Sequence, residues 1–198
     1  MDVRIMTSVG DAVNPHLDAL ARLRITVFRD YPYLYDGDMA YERRYLEAYA
    51  RSKRSVFVLA LDGDKVVGCS TGIPLVDEVP AIQKPFVERG MLLSEVFYFG
   101  ESVLLPEYRG QGIGHRFFQQ REAHARRLLG FHWTAFCAVE RAANDSRRPA
   151  GYRTNDAFWT KRGYQRQDDM FCSLEWTEID AMAQSAHRLR FWLRPLDA

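Results

Sequence analysis

Residues 106–114, Pro-Glu-Tyr-Arg-Gly-Gln-Gly-Ile-Gly, constrain this chain more than any other stretch. Pro106 ends the extended run 95–105, because proline cannot donate to a β-ladder. The run 112–129 then carries Ile113, Phe117, Ala125 and Leu128 at near-helical spacing until Gly130 stops it. A strand therefore passes into an amphipathic helix through glycines at 110, 112 and 114. The first turn of a helix holds N–H groups without helical partners and the positive end of the dipole, so it favours an anion. Glycines remove the Cβ atoms that would bar close approach. A pyrophosphate fits there, against the N–H groups of residues 111–115, with Arg109 adding charge. Three alternate glycines also make a tight connection and nothing more, and the turn alone leaves both readings open.

Two other phosphate-binding patterns fail on the same residues. A P-loop needs G-x-x-x-x-G-K-[ST], because its lysine reaches the β- and γ-phosphates and its hydroxyl holds magnesium. Here Gly114 is followed by His115 and Arg116. A dinucleotide fingerprint needs G-x-G-x-x-G and an acidic residue some 20 positions on at a strand end. Here the spacing is G-x-G-x-G, and the next strand begins without an acid.

Hydrophobic period and turn residues place the other elements. A short opening strand covers 3–6, and helices cover 15–28, with Leu17, Leu20, Leu23 and Val27 on one face, and 40–50. Residues 55–61 and 65–73 form a hairpin that turns at Asp62, Gly63 and Asp64. Pro74, Pro80 and Pro85 interrupt 74–90, which reads as a loop with at most one short helix, long enough to serve as a lid. Strands follow over 133–139, 165–176 and 189–194, with a short helix over 156–162. At 198 residues with no repeat and no linker, one mixed α/β domain spanning 1–198 is expected.

Lysine and arginine number 27 against 26 acidic residues, so no field covers the surface that would gather nucleic acid or anionic lipid. Neither partner is expected. Cys69, Cys137 and Cys172 are widely spaced and odd in number, which argues against a disulfide framework and fits a reducing cytoplasm. The five histidines form no H-x-x-x-H pair, and no metal is expected. No apolar run approaches the ~20 residues of a membrane helix, and the start lacks the apolar core of a signal peptide.

With Arg109-Gly110-Gln111-Gly112-Ile113-Gly114 between a long strand and an amphipathic helix, the chain resembles the GCN5-related N-acetyltransferase (GNAT) superfamily, whose acyl-CoA signature is Q/R-x-x-G-x-G/A. Residues 157–164, Ala-Phe-Trp-Thr-Lys-Arg-Gly-Tyr, are similar to its second signature, commonly A-x-Y-x-x-x-G-F. The resemblance implies an α/β (α+β) fold with a mixed, mostly antiparallel sheet that splays after the signature strand and is flanked by helices. It implies acetyl-CoA as acyl donor, with Val103 and Leu104 at the pantetheine arm, residues Arg109, Gly110, Gln111, Gly112, Ile113, Gly114 and His115 at the pyrophosphate, and Asn155 at the CoA arm. It also implies acetyl transfer to a primary amine by direct attack in a ternary complex. A CoA-binding module without catalysis is the alternative.

Acetyl transfer to an amine needs a free lone pair, and an alkylamine is almost wholly protonated at neutral pH. Strict alternation puts Glu101 on the strand face of Phe97, Phe99 and Val103 unless a bulge intervenes, where an apolar neighbourhood would suit it as a base. The competing reading is that Glu101 pairs with an arginine. The family often uses a tyrosine in its second signature as the acid, but Trp159 stands there, so Tyr164 or Tyr152 would have to substitute, with Tyr164 the candidate, or else Tyr164 is just core. Tyr31, Tyr33, Tyr35 and Asp36, in a segment with further carboxylates, suit a cationic amine, or else pack as a loop over the core. The acceptor is not legible in the sequence, and oligomeric state, a homodimer included, is left open.

Overall fold

The computed structural model describes residues 3–196. Strand β1 (Arg4–Val9) pairs antiparallel with β2 (Val56–Asp62), and two helices, α1 (Leu17–Phe28) and α2 (Met39–Arg51), lie between them in sequence. Asp38 caps α2 by accepting from the Tyr41 N–H at 2.8 Å. Residues 56–61 are apolar without alternation, the pattern of a strand covered on both faces, and every one of them is buried. The chain turns at Gly63, whose φ of +59° suits glycine, into β3 (Lys65–Pro74).

Helix α3 (Pro80–Glu88) follows, then β4 (Val96–Tyr98), β5 (Ser102–Leu104), α4 (Ile113–Leu128), β6 (Trp133–Val139), α5 (Asp156–Lys161), β7 (Gln165–Thr177) and β8 (Gln184–Pro195). The sheet runs β1-β2-β3-β4-β6-β8-β7, with β5 paired to β3 alone, and only β4–β6 is parallel. Helices cover both faces. On one, Leu20, Leu46, Phe57, Ile73, Phe86, Tyr98, Val103 and Phe191 pack beneath α1, α2 and α3. On the other, Val58, Phe97, Phe99, Ile113, Phe117, Phe118, Phe136 and Trp192 pack beneath α4 and α5.

The segment 74–90 holds the one short helix the sequence allowed: Pro80 opens α3 in its first turn, where a missing N–H costs nothing, and Ile82 and Phe86 bury one face. Phe86 meets Phe191 edge-on at 5.1 Å, and Arg89 at the end of α3 donates to Gln167 of β7 at 2.8 Å. The last strand begins at Gln184 rather than 189, because hydrogen bonding to β7 extends it through polar residues whose side chains carry no apolar alternation.

The expected strand over 95–105 is broken in two. Tyr98 pairs with Ile73 and Ser102 with Ser70, so the strand advances four residues while β3 moves back three. The extra residue is a bulge: Gly100 donates to the Thr71 carbonyl at 3.2 Å, and Thr71 donates to the Glu101 carbonyl at 3.0 Å. A bulge of one residue inverts the side-chain phase. Phe97 and Phe99 face α4, whereas Glu101 and Val103 face α1 and α2, so Glu101 shares a face with Val103 but not with the two phenylalanines.

Candidate active site

The glycine turn joins β5 to α4 through a left-handed backbone. Gly110 and Gly112 adopt φ of +76° and +78°, and a Cβ built on either meets nothing within 4 Å, so the space above the turn is open. Gly112 occupies the N-cap and brings no side chain to close the first turn of α4, leaving its N–H groups facing outward. Ile113 is the anchor, 2% exposed, and an added Cβ at Gly114 would touch the Phe158 ring at 3.5 Å. Arg109 donates to the Leu104 carbonyl at 3.2 Å, and Gln111 donates to the Glu107 carbonyl at 3.1 Å. His115 sits edge-on to Phe158 at 4.8 Å. Asn155 is exposed at the start of α5.

Next to the turn, β5 has one unpaired edge, because β4 alone continues to β6. Glu101 and Leu105 direct their main-chain bonds to β3, through Thr71 and Val67. Alternation assigns Val103 to β3 as well and turns Ser102 and Leu104 to the open edge. Of the two residues expected at the pantetheine arm, Leu104 therefore offers main-chain groups there and Val103 does not. Val103 is wholly buried toward α1 and α2.

Glu101 lies in a polar cluster, not an apolar one. Its Oε2 is ion-paired with Arg24 Nη1 at 2.8 Å and accepts from the Tyr45 hydroxyl at 3.0 Å, while its Oε1 is buried without a hydrogen-bond partner. Arg24 also pairs with Glu42 and lies 4.1 Å over the Tyr45 ring. Burial opposes the charge of Arg24, but Glu101, Tyr45 and Glu42 together hold its pKa well above the ordinary value. From the other face of the sheet, Arg121 of α4 donates to the carbonyls of Thr71 and Glu101 at 3.2 and 3.3 Å, with its guanidinium 4.2 Å over Phe99. Burial lowers the Arg121 pKa to about 10.

The tyrosine segment comes back to this cluster. Tyr33 packs on Phe28 and Trp176, and its hydroxyl is pushed up by burial and by Cys137, with Arg24 and Glu101 both near enough to act on it. Tyr35 is raised by burial and by Glu42. Tyr31 meets Tyr152 edge-on at 4.7 Å, while Asp36 is exposed and pairs with Arg29 at 3.4 Å. Thus Tyr33 and Tyr35 approach the Glu101 cluster, and Asp36 is engaged at the surface. The segment is tied down by Arg141, which donates to the carbonyls of Pro32 and Tyr33 at 2.6 and 2.9 Å, and by the Trp176 indole, which donates to Tyr33 at 3.1 Å.

Tyr164 is not in this cluster. It is 2% exposed among Phe99, Phe118 and Phe136, with its hydroxyl 2.9 Å from Thr134 Oγ1, and burial pushes its pKa up. Gly163 ends α5 at φ +85° and delivers the next side chain into the core, which removes Tyr164 as a candidate acid. Trp159 packs between Phe136 and Trp192 at 4.9 and 5.2 Å. The sequence reading missed Arg24, Glu42 and Tyr45. The signal was present: Arg24 falls in the stripe of Leu17, Leu20 and Ala21, and Glu42 in that of Leu46 and Tyr49, charges where an apolar face expects none.

No curated protein matches the sequence significantly. Solved structures match nearly its full length at low identity. An N-acetyltransferase from Staphylococcus aureus Mu50 is 14% identical with a TM-score of 0.61, over 98% of this chain and 99% of that one. A ribosomal-protein-alanine N-acetyltransferase from Brucella melitensis is 15% identical with a TM-score of 0.62, over 98% and 99%. A phosphinothricin acetyltransferase from Sinorhizobium meliloti, in complex with acetyl-CoA, is 14% identical with a TM-score of 0.58, over 98% and 89%. The acetyltransferase (GNAT) family model matches residues 20–150, two thirds of the sequence, and the chain belongs to that family.

Proposed function

We propose that this chain is an acetyl-CoA-dependent N-acetyltransferase that acetylates a primary amine, of a small molecule or a peptide, by direct attack. The observation that carries this reading is the Glu101 carboxylate: one oxygen is held by Arg24 and Tyr45, and the other is buried and unpartnered beside the open edge of β5. A buried acceptor without a donor is costly, and an ammonium or amine N–H arriving there would satisfy it.

The chain's own groups fit the donor. Open N–H groups at the start of α4 suit the diphosphate, and the outward main chain of Ser102 and Leu104 suits an extended amide arm and a polarised carbonyl. When bound, acetyl-CoA supplies an activated acyl group on a thiol leaving group of pKa near ~8.5. Glu101 takes the proton that keeps the acceptor nitrogen from attacking, and Arg24 and Tyr45 fix the carboxylate in place. Tyr33 and Tyr35 supply aromatic wall for the acceptor. A thiolate with that pKa leaves tolerably without a dedicated acid, so the loss of Tyr164 from the scheme does not stop it.

A CoA-binding protein without turnover is the second reading, favoured by Trp159 at the usual tyrosine position, partly buried against Phe136 and Trp192. Calorimetric titration with acetyl-CoA tests what the two readings share, and thiol release across an amine panel separates them. Under the first, Glu101→Gln lowers turnover most at low pH, where the amine most needs a base, and leaves acetyl-CoA affinity nearly intact. Equal rates for wild type and variant at every pH would remove Glu101 from the chemistry.

A further inference from the structure

Glu101 is deep: the residue is 8% exposed, and a proton delivered to it needs a way out. Its neighbours make one. The Tyr45 hydroxyl donates to Glu101 Oε2 at 3.0 Å. Tyr49 lies one turn further along α2, its ring 5.0 Å from that of Tyr45. The Tyr49 hydroxyl in turn donates to Glu78 Oε1, and Glu78 Oε2 accepts from the Val79 N–H at 2.9 Å. Glu78 is half-buried, at the surface end of the row.

We infer that Tyr45, Tyr49 and Glu78 form a proton outlet that carries the acceptor's proton from Glu101 to solvent. The inference rests on Glu101 being the base. Glu101 passes its proton to the Tyr45 oxygen as Tyr45 passes its own to Tyr49 and Tyr49 its own to the Glu78 carboxylate. The hydroxyls turn about their C–O bonds, no charge stays on either tyrosine, and Glu78 releases one proton to water.

Two further observations fit this path. The bulge residue is glycine, and a Cβ there would sit 2.4 Å from the Tyr49 hydroxyl and 2.7 Å from Thr71 Oγ1, so the outlet exists only because position 100 has no side chain. The pKa of Glu78 is raised by burial, against the bonds from Tyr49 and Val79, and Glu101 raises it further, so it can hold an arriving proton. The groups acting on the row are Arg24 of α1, Glu42 of α2, Cys69 of β3, Tyr98 of β4 and, through the Glu101 carbonyl, Arg121 of α4. Asp77 beside it is bonded to Ser52 at 2.7 Å.

The test has two arms. With 13C-labelled glutamate side chains, assigned by its loss in E78Q, the Glu78 carboxyl is expected to titrate differently from the wild type in Y45F as well as in Y49F, because the three groups share one hydrogen-bonded row. A Glu78 titration in Y45F equal to that of the wild type would overturn the outlet, because Tyr45 would then not be joined to Tyr49. The second arm follows n-butylamine acetylation by thiol release. Y45F, Y49F and E78Q should each lower kcat by about tenfold, a part of the ~10²–10⁴ a positioned base contributes, with acetyl-CoA KM unchanged and E78D recovering much of the rate. A slow E101Q beside Y49F and E78Q with wild-type rates and pH profiles would sink the outlet and leave the base standing. A fully active E101Q would sink both. The titration needs no acceptor and decides alone if n-butylamine is not turned over.

Discussion

Arg24 shows what a single residue does at this site. It joins two buried carboxylates, Glu42 and Glu101, from a helix face that otherwise packs in the core. Removing one member of a buried ion cluster leaves the others uncompensated, which costs about 3–5 kcal/mol. Arg24→Ala is therefore expected to lower stability by that amount in urea unfolding and to abolish turnover, since Glu101 loses the group that orients it. A loss below ~1 kcal/mol would mean that the cluster is solvated in solution. Glu101 itself was legible in sequence as an acid in the signature strand, but its surroundings were not. Alternation carries one face along a strand, and the extra residue at Gly100 moved Glu101 from the phenylalanine face to the arginine face.

Among the elements, α4 and the turn before it matter most. Glycine's freedom is required at Gly112, where φ is +78° and the N-cap must stay open. A β-branched residue there both strains the left-handed backbone by ~1–2 kcal/mol and projects into the space over the first turn. Gly112→Val should weaken acetyl-CoA binding at least tenfold in calorimetry while the circular dichroism spectrum stays that of the wild type. Unaltered affinity would place the diphosphate elsewhere. This element was readable nearly to the residue, 112–129 against Ile113–Leu128, because proline, glycine and a 3.6-residue period are local signals. The split of the signature strand was not readable, because it follows from β3 pairing with β4 at one end and β5 at the other.

Over the molecule as a whole, the tyrosine segment hangs on ion pairs between distant segments. Arg141 and Arg147 both meet Glu178, Arg141 at 2.5 Å, and Arg147 also holds Asp145 at 2.9 Å, while His187 stands 3.5 Å from Glu178. The bonds from Arg147 lower the Asp145 pKa to about 2. Burial opposes ionisation of Glu178, but Arg147 and Arg141 outweigh it and keep its pKa below the ordinary carboxylate value. Groups with depressed folded values stabilise above their unfolded pKa, near ~3.9 and ~4.3, and that contribution is lost as pH falls through the folded ones. Hydrogen exchange should show residues 30–36 and 141–148 losing protection below about pH 4 while β2 and β3 keep theirs. Simultaneous loss across the sheet would show that these pairs do not hold the segment separately. Among the described residues no helix is long and apolar enough to cross a membrane.

The order of elements, the glycine turn and the acidic residue in the signature strand were determined by sequence alone, since proline, glycine and hydrophobic period act over a few neighbouring residues. Only the tertiary structure decided which groups meet Glu101. Arg24, Tyr45 and Glu42 come from two helices more than fifty residues upstream, Arg121 from a helix on the opposite face, and Tyr164 is withdrawn into the core. Contacts of that kind depend on packing and strand register across the whole sheet, where a single inserted residue changes which face a side chain takes.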